Sequence, residues 1–135
     1  MSIDRTDKLV GACFAATTAA TVGMFSNYWP VVYYSIPVLV TLFMLMGSLD
    51  KRDEWNPPAT AGIVSFGLVL VLLFGVANAA LHDGGIIGGL PTSTAVFVYA
   101  IWPVATVVGP LVFAWVYHTW LRHDLEDTDA QPVAQ

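Results

Sequence analysis

The chain has 135 residues, 56% of them apolar and only 11% charged, with a formal net charge of -5 at pH 7. Water-soluble domains carry about a quarter charged residues, so a mean hydropathy of +0.67 points to a chain whose solvent is lipid. High apolar content with few charges excludes a disordered chain, and the single cysteine, Cys13, excludes a disulfide scaffold.

Four apolar stretches follow one another: Leu9 to Phe25, Val31 to Leu49, Ala61 to Leu81 and Ala95 to Leu121, none containing Asp, Glu, Lys or Arg. A helix crosses the roughly 30 Å of hydrocarbon with about 20 residues, so the first stretch is short and the last is long. Backbone amides in lipid must be satisfied internally, and continuous apolar runs without alternation select helices over a barrel. The expected fold is all-α and polytopic, with four transmembrane helices over 9–121, a cytoplasmic N-terminus over 1–8 and an acidic cytoplasmic tail over 122–135.

Cations set the expected orientation in the cell membrane. Arg5 and Lys8 precede the first span, Lys51 and Arg52 lie between the second and third, and Arg122 follows the fourth, whereas the other two connections carry none. The positive-inside bias therefore places both termini in the cytoplasm. Tyr28 and Trp29 at the outer edge, and Trp55, Trp115, Tyr117 and Trp120 towards the inner one, fit aromatic belts. A secretory signal is the competing reading of the N-terminus, but a signal has no need of the small residues that the first span repeats. Asp124, Glu126, Asp127 and Asp129 make the tail negative, which disfavours nucleic acid and anionic lipid as partners. Scarce Lys with abundant Ala, Val and Thr resembles proteins of salt-loving microbes.

The first span places Gly11, Ala15, Ala19 and Gly23 at every fourth position, a row that lets another helix approach closely in lipid. Gly67, Gly75 and Ala79 form a similar surface on the third span and are the expected match for it. Pro37 and Pro110 lie within spans two and four, where a missing donor and a crowded turn predict kinks, with Ser35 and Thr106 placed to satisfy the freed carbonyls. Trp29, Pro30, Val31 and Pro37 recur with constant offset as Trp102, Pro103, Val104 and Pro110. That echo suggests a duplicated helical hairpin in which each copy begins a second helix, the fourth span then crossing from about Pro103 to Leu121 with Thr92 to Ile101 as an outer helical extension. The connection from His82 to Thr94 is rich in glycine but has no Lys, and so lacks the Lys followed by Ser or Thr that a phosphate loop needs. It reads as a turn or shallow re-entrant segment, with Thr92 or Ser93 capping the last helix.

Little in the chain suggests chemistry. His82 falls at the outer face and His118 and His123 at the inner one, so paired haem ligation is not expected, and neither is any other cofactor or metal. No span carries a carboxylate, lysine or arginine of the kind that marks ion-coupled transport. Asn78 is the polar intramembrane candidate, read first as a link between helices. No catalytic set can be assembled, so the chain is not expected to be an enzyme.

The run Gly88, Gly89, Leu90, Pro91 followed by one long helix to Tyr117, Arg122 and Asp124 resembles the small companion subunits of sodium:solute symporters, over about residues 84–127. Those companions have two helices where four are read here. The resemblance implies a non-catalytic accessory subunit of a larger membrane complex, with a solute:sodium symporter as preferred host. A respiratory oxidase host, or a small homo-oligomeric transporter or channel, is the alternative expectation. Side-specific labelling of introduced cysteines is expected to place residue 87 and the C-terminus on opposite faces of the membrane; finding both on one face refutes the topology.

Overall fold

The computed structural model of the chain describes residues 5–49, 55–82 and 84–122. Four helices are long and apolar enough to cross a bilayer. They are α1 (Arg5–Phe25), α2 (Trp29–Gly47), α3 (Pro57–Ala79, prolonged by the 3-10 turn Ala80–His82) and a last helix, Thr92–Thr119. Their principal contacts run in chain order, α1 on α2, α2 on α3 and α3 on the last helix. The third helix therefore occupies the middle. Its buried positions, Ala59, Ile63, Phe66, Leu70, Phe74 and Ala77, recur every three or four residues, the spacing that keeps side chains on one helix face. By contrast α1 buries only Leu9 and Gly23.

Helix starts differ from the apolar boundaries because a helix continues wherever its backbone bonds can. The first helix begins at Arg5 rather than Leu9, and Asp7 in its first turn suits the positive end of the helix dipole. Prolines open α2 and α3: Pro30 follows Trp29, and Pro57 and Pro58 follow the extended Asn56. A proline in the first helical turn loses a donor that would be unpaired anyway. Chain reversal after α1 relies on Asn27 at φ 54°. Its amide donates to the Met24 carbonyl at 3.2 Å and that of Tyr28 to the Gly23 carbonyl at 2.8 Å, a Schellman closure.

The connection before the last helix is a two-strand hairpin, β1 (Ile86–Ile87) and β2 (Leu90–Pro91), antiparallel with Ile87 opposite Leu90. Gly88 and Gly89 make the turn at φ 58° and 84°. Two successive positive φ values of this size define a type I′ turn, which fits the twist of paired strands and favours glycine. The expected side-chain cap is absent: Pro91 precedes the helix, and neither Thr92 nor Ser93 caps it by a side-chain hydrogen bond. The hairpin takes over that role, since the Thr92 amide donates to the Gly85 carbonyl at 3.1 Å.

Prolines inside the helices are treated in two ways. Pro37 is buried in α2, which stays α-helical around it. In the last helix each proline follows a wider π turn, Phe97–Ile101 before Pro103 and Val104–Val108 before Pro110. Trp102 N donates to Phe97 O and Gly109 N to Val104 O, both i→i+5 bonds. A proline ring crowds the carbonyl four residues back, and widening the turn ahead of it relieves that crowding. The hydroxyls expected to serve the freed carbonyls bond elsewhere: Ser35 to Val32 O at 2.6 Å and Thr106 to Trp102 O at 2.7 Å. Hydroxyls of helical Ser and Thr reach back three or four residues along their own helix, whereas Pro37 and Pro110 free the carbonyls of Tyr33 and Thr106.

The sequence echo also acquires unequal settings. Trp29 and Pro30 begin α2, but Trp102 and Pro103 lie about ten residues inside the last helix, whose Thr92 to Ile101 portion is the outer helical extension that a duplicated hairpin requires. The preceding π turn is what makes Pro103 tolerable at an interior position.

Of the glycines, Gly67 makes the closest approach to another helix, for a Cβ there would collide with the side chain of Thr41 on α2. Gly67→Leu should lower the stability of the folded chain by about 1–3 kcal/mol or more, as overpacking does. Thermal unfolding in mild detergent reads this as a fall in midpoint; an unchanged midpoint contradicts the contact.

Candidate functional site

The row of small residues on α1 divides into a packed end and an open one. Gly23 is buried, and a Cβ built on it would lie 3.2 Å from the side chains of Val31 and Val32 on α2. Ala19, Ala15 and Gly11 are exposed, and nothing stands within 4 Å of a Cβ built on Gly11. A groove of about 720 Å³ runs along this face, with Ala15, Ala19 and Gly23 among its lining and Phe14, Val22 and Val31 beside them. Small residues lower the floor while branched and aromatic neighbours raise the sides.

The third helix does not serve as the match expected for this row. Gly67 meets Thr41, and a Cβ on Gly75 would lie 3.8 Å from the Tyr34 hydroxyl, so both belong to the α2 contact, while Ala79 is exposed. Helices pack here between neighbours in the chain, which leaves α1 beside α2 and separated from α3 by it.

Hydroxyls near the open face are already engaged. Thr17 donates to Cys13 O at 2.8 Å, Thr18 to Phe14 O at 2.8 Å and Thr21 to Thr17 O at 2.9 Å. The same local bonding occupies Thr41, on Pro37 O at 2.7 Å, and Thr119, on Trp115 O at 2.6 Å. The threonines of α1 thus leave its surface apolar in what it offers a neighbour. Asn78 is half-buried, and its amide makes no hydrogen bond with the described residues.

A second groove, of about 500 Å³, lies between α2 and the last helix, with Phe66, Leu70 and Phe74 of α3 also lining it. Pro37 and Pro110 both line it. Towards one end of the helices Tyr33 stacks at 4.8 Å on Phe74, whose ring meets Phe97 at 6.1 Å. Towards the other, Gly62 lies beneath Trp115 and Gly109 beneath Phe66, with built Cβ atoms 2.9 and 3.3 Å from those rings. These glycine–aromatic contacts were not legible as a motif, because each joins residues more than forty positions apart in the chain and neither partner repeats at a helical period.

At the end where α1 begins, the Arg5 guanidinium sits 5.6 Å from the centroid of Trp55, which precedes α3. Such a cation–π contact contributes about 0.5–1 kcal/mol at an exposed site. It brings the α1 start to the same end as the α2–α3 connection, where Val116 of the last helix also packs on Ala59. Lys51, Arg52, His123 and the acidic tail lie outside the described residues. Among the described residues no three His, Cys, Asp or Glu side chains gather as a metal site; His82 and His118 are both exposed.

No family model matches the chain, and no curated protein or solved structure matches it.

Since the Asn78 side-chain amide bonds to none of the described residues, Asn78→Ala should change the stability of the isolated protein by less than about 0.5 kcal/mol. A loss of the 1–2 kcal/mol typical of a strong interhelical polar contact, read by thermal unfolding in detergent, contradicts this placement.

Proposed function

We propose that the chain crosses the cell membrane four times with both termini in the cytoplasm, and that it is a non-catalytic accessory subunit of a larger membrane protein, a solute:sodium symporter being the preferred host. The observation that carries this reading is the open row of Gly11, Ala15 and Ala19, which α2 and α3 leave uncovered. Lipid tails are as apolar as a helix surface, so association in a bilayer gains from close packing, and small residues permit it. Four helices whose main contacts run only between chain neighbours leave such a face available to a host helix.

Orientation rests on the cations. Arg5, Lys8 and Arg122 belong to the end that carries Trp55, and the hairpin at the opposite end has no Lys or Arg. The engaged hydroxyls of Thr17, Thr18, Thr21, Ser35, Thr41 and Thr106 favour an accessory role over solute passage through this chain, since they leave few donors to replace the hydration of a solute. The host assignment comes from the resemblance of residues 84–127 to symporter companions.

The test is purification of the full chain from its native membrane in mild detergent, with identification of co-purifying chains. A symporter is the expected partner. An oxidase keeps the accessory role and replaces the host, whereas recovery of homo-oligomers that conduct ions or solute in liposomes overturns the proposal. Gly11→Ile with Ala15→Ile should cut recovery of the partner about tenfold, equivalent to about 1.4 kcal/mol. The unfolding midpoint of the isolated chain should not move, because neither position is packed within it.

A further inference from the structure

The last helix is fastened to α3 at Ile101 on one side and, on the other, at Val116 and at Gly109, which is buried beneath Phe66, and it is unfastened between Ile101 and Gly109. On the hairpin side Ile101 is buried with Phe74 and Ala77, and on the other side Val116 is buried with Ala59 and Ile63. Between these anchors the π turn Val104–Val108 has no buried residue. Pro103 stands immediately before that turn and Pro110 one residue beyond the Gly109 whose amide closes it on Val104 O, so a residue without an amide donor flanks it on each side. A helix bends where its hydrogen-bond ladder is interrupted, and a segment with few buried contacts has little to hold it in one position. The two conditions coincide here. They do not coincide at Pro37, which is itself buried within α2.

This turn is also part of a wall. Trp102, Ala105, Gly109 and Pro110 line one side of the groove of about 500 Å³ whose other side includes Pro37. A π turn holds one residue more than the α turn it replaces, so moving it along the helix rotates the intervening residues by about 100°. We propose that Val104–Val108 is a movable strap, jointed at Pro103 and Pro110, that shifts between the two anchors and so widens or narrows the groove between α2 and the last helix. The inference does not depend on which partner the chain has, since it concerns the α2 and α3 side of the fold and not the open face of α1.

Spin-label distances test it on the full chain in lipid nanodiscs, with Cys13→Ala as background. One label at Val10→Cys, exposed on α1, is paired with Val107→Cys in the strap or with Val98→Cys on the anchored portion; both positions are exposed. The distribution to residue 107 should be about twice as broad as that to residue 98. It should narrow to the reference width when Pro103→Ala and Pro110→Ala restore the two donors. Equal widths in the native chain overturn the strap, and that comparison decides the matter even if the double variant does not fold. A broad distribution that the proline replacements leave unchanged also overturns it, because motion would then not arise at those joints.

Discussion

At Gly67 the backbone of α3 comes so near to Thr41 of α2 that no side chain fits between them, and at Gly62 the same helix lies beneath the ring of Trp115. Both approaches belong to one helix, so α3 holds α2 with one glycine and the last helix with another. Gly109 returns the relation by lying beneath Phe66 of α3. Where solvent expulsion does not drive helices together, contact quality must, and contact quality depends on how closely backbones and rings can meet. The central position of α3 follows from its being the helix that can be approached on both sides.

Backbone bonding accounts for most of what lies between these contacts. Asn27 reverses the chain after α1 while its own amide and that of Tyr28 close on carbonyls of the helix just ended. Gly88 and Gly89 reverse it again through strands two residues long, and Gly85 accepts the first amide of the last helix. Where prolines interrupt the ladder of the last helix, π turns widen it, whereas α2 stays α-helical around Pro37. The same discipline extends to the side chains, since the Thr hydroxyls of α1 close on their own helix. What remains for a neighbour to meet is shape, most of all the open floor formed by Ala15 and Ala19.

Several of these features can be read from residue order alone. The apolar runs locate all four helices, and the local pair Gly88 and Gly89 between Ile87 and Leu90 carries the hairpin signal. The row Gly11, Ala15, Ala19 and Gly23 is visible as a four-residue period, but periodicity reports a shared face and not what covers it; only Gly23 meets α2. Likewise Gly67 and Gly75 are recognisable as a contact surface, while their partner is α2 and not α1. Ser35 and Thr106 stand close to the prolines in sequence and yet bond other carbonyls, because hydroxyl reach is set by helix geometry rather than proximity along the chain.

Sequence by itself determined the number of long apolar helices and which connections carry the cations, because hydrophobic run length and charge position are local quantities. Helix termini were readable to within a few residues for the same reason. Tertiary structure alone decided that α3 is central, that α1 keeps most of its small residues uncovered, and that the last helix is anchored on either side of an unpacked proline-bounded turn. Those outcomes depend on which glycine lies under which ring, Gly62 under Trp115 and Gly109 under Phe66, and such pairings between distant residues leave no period in the chain that forms them.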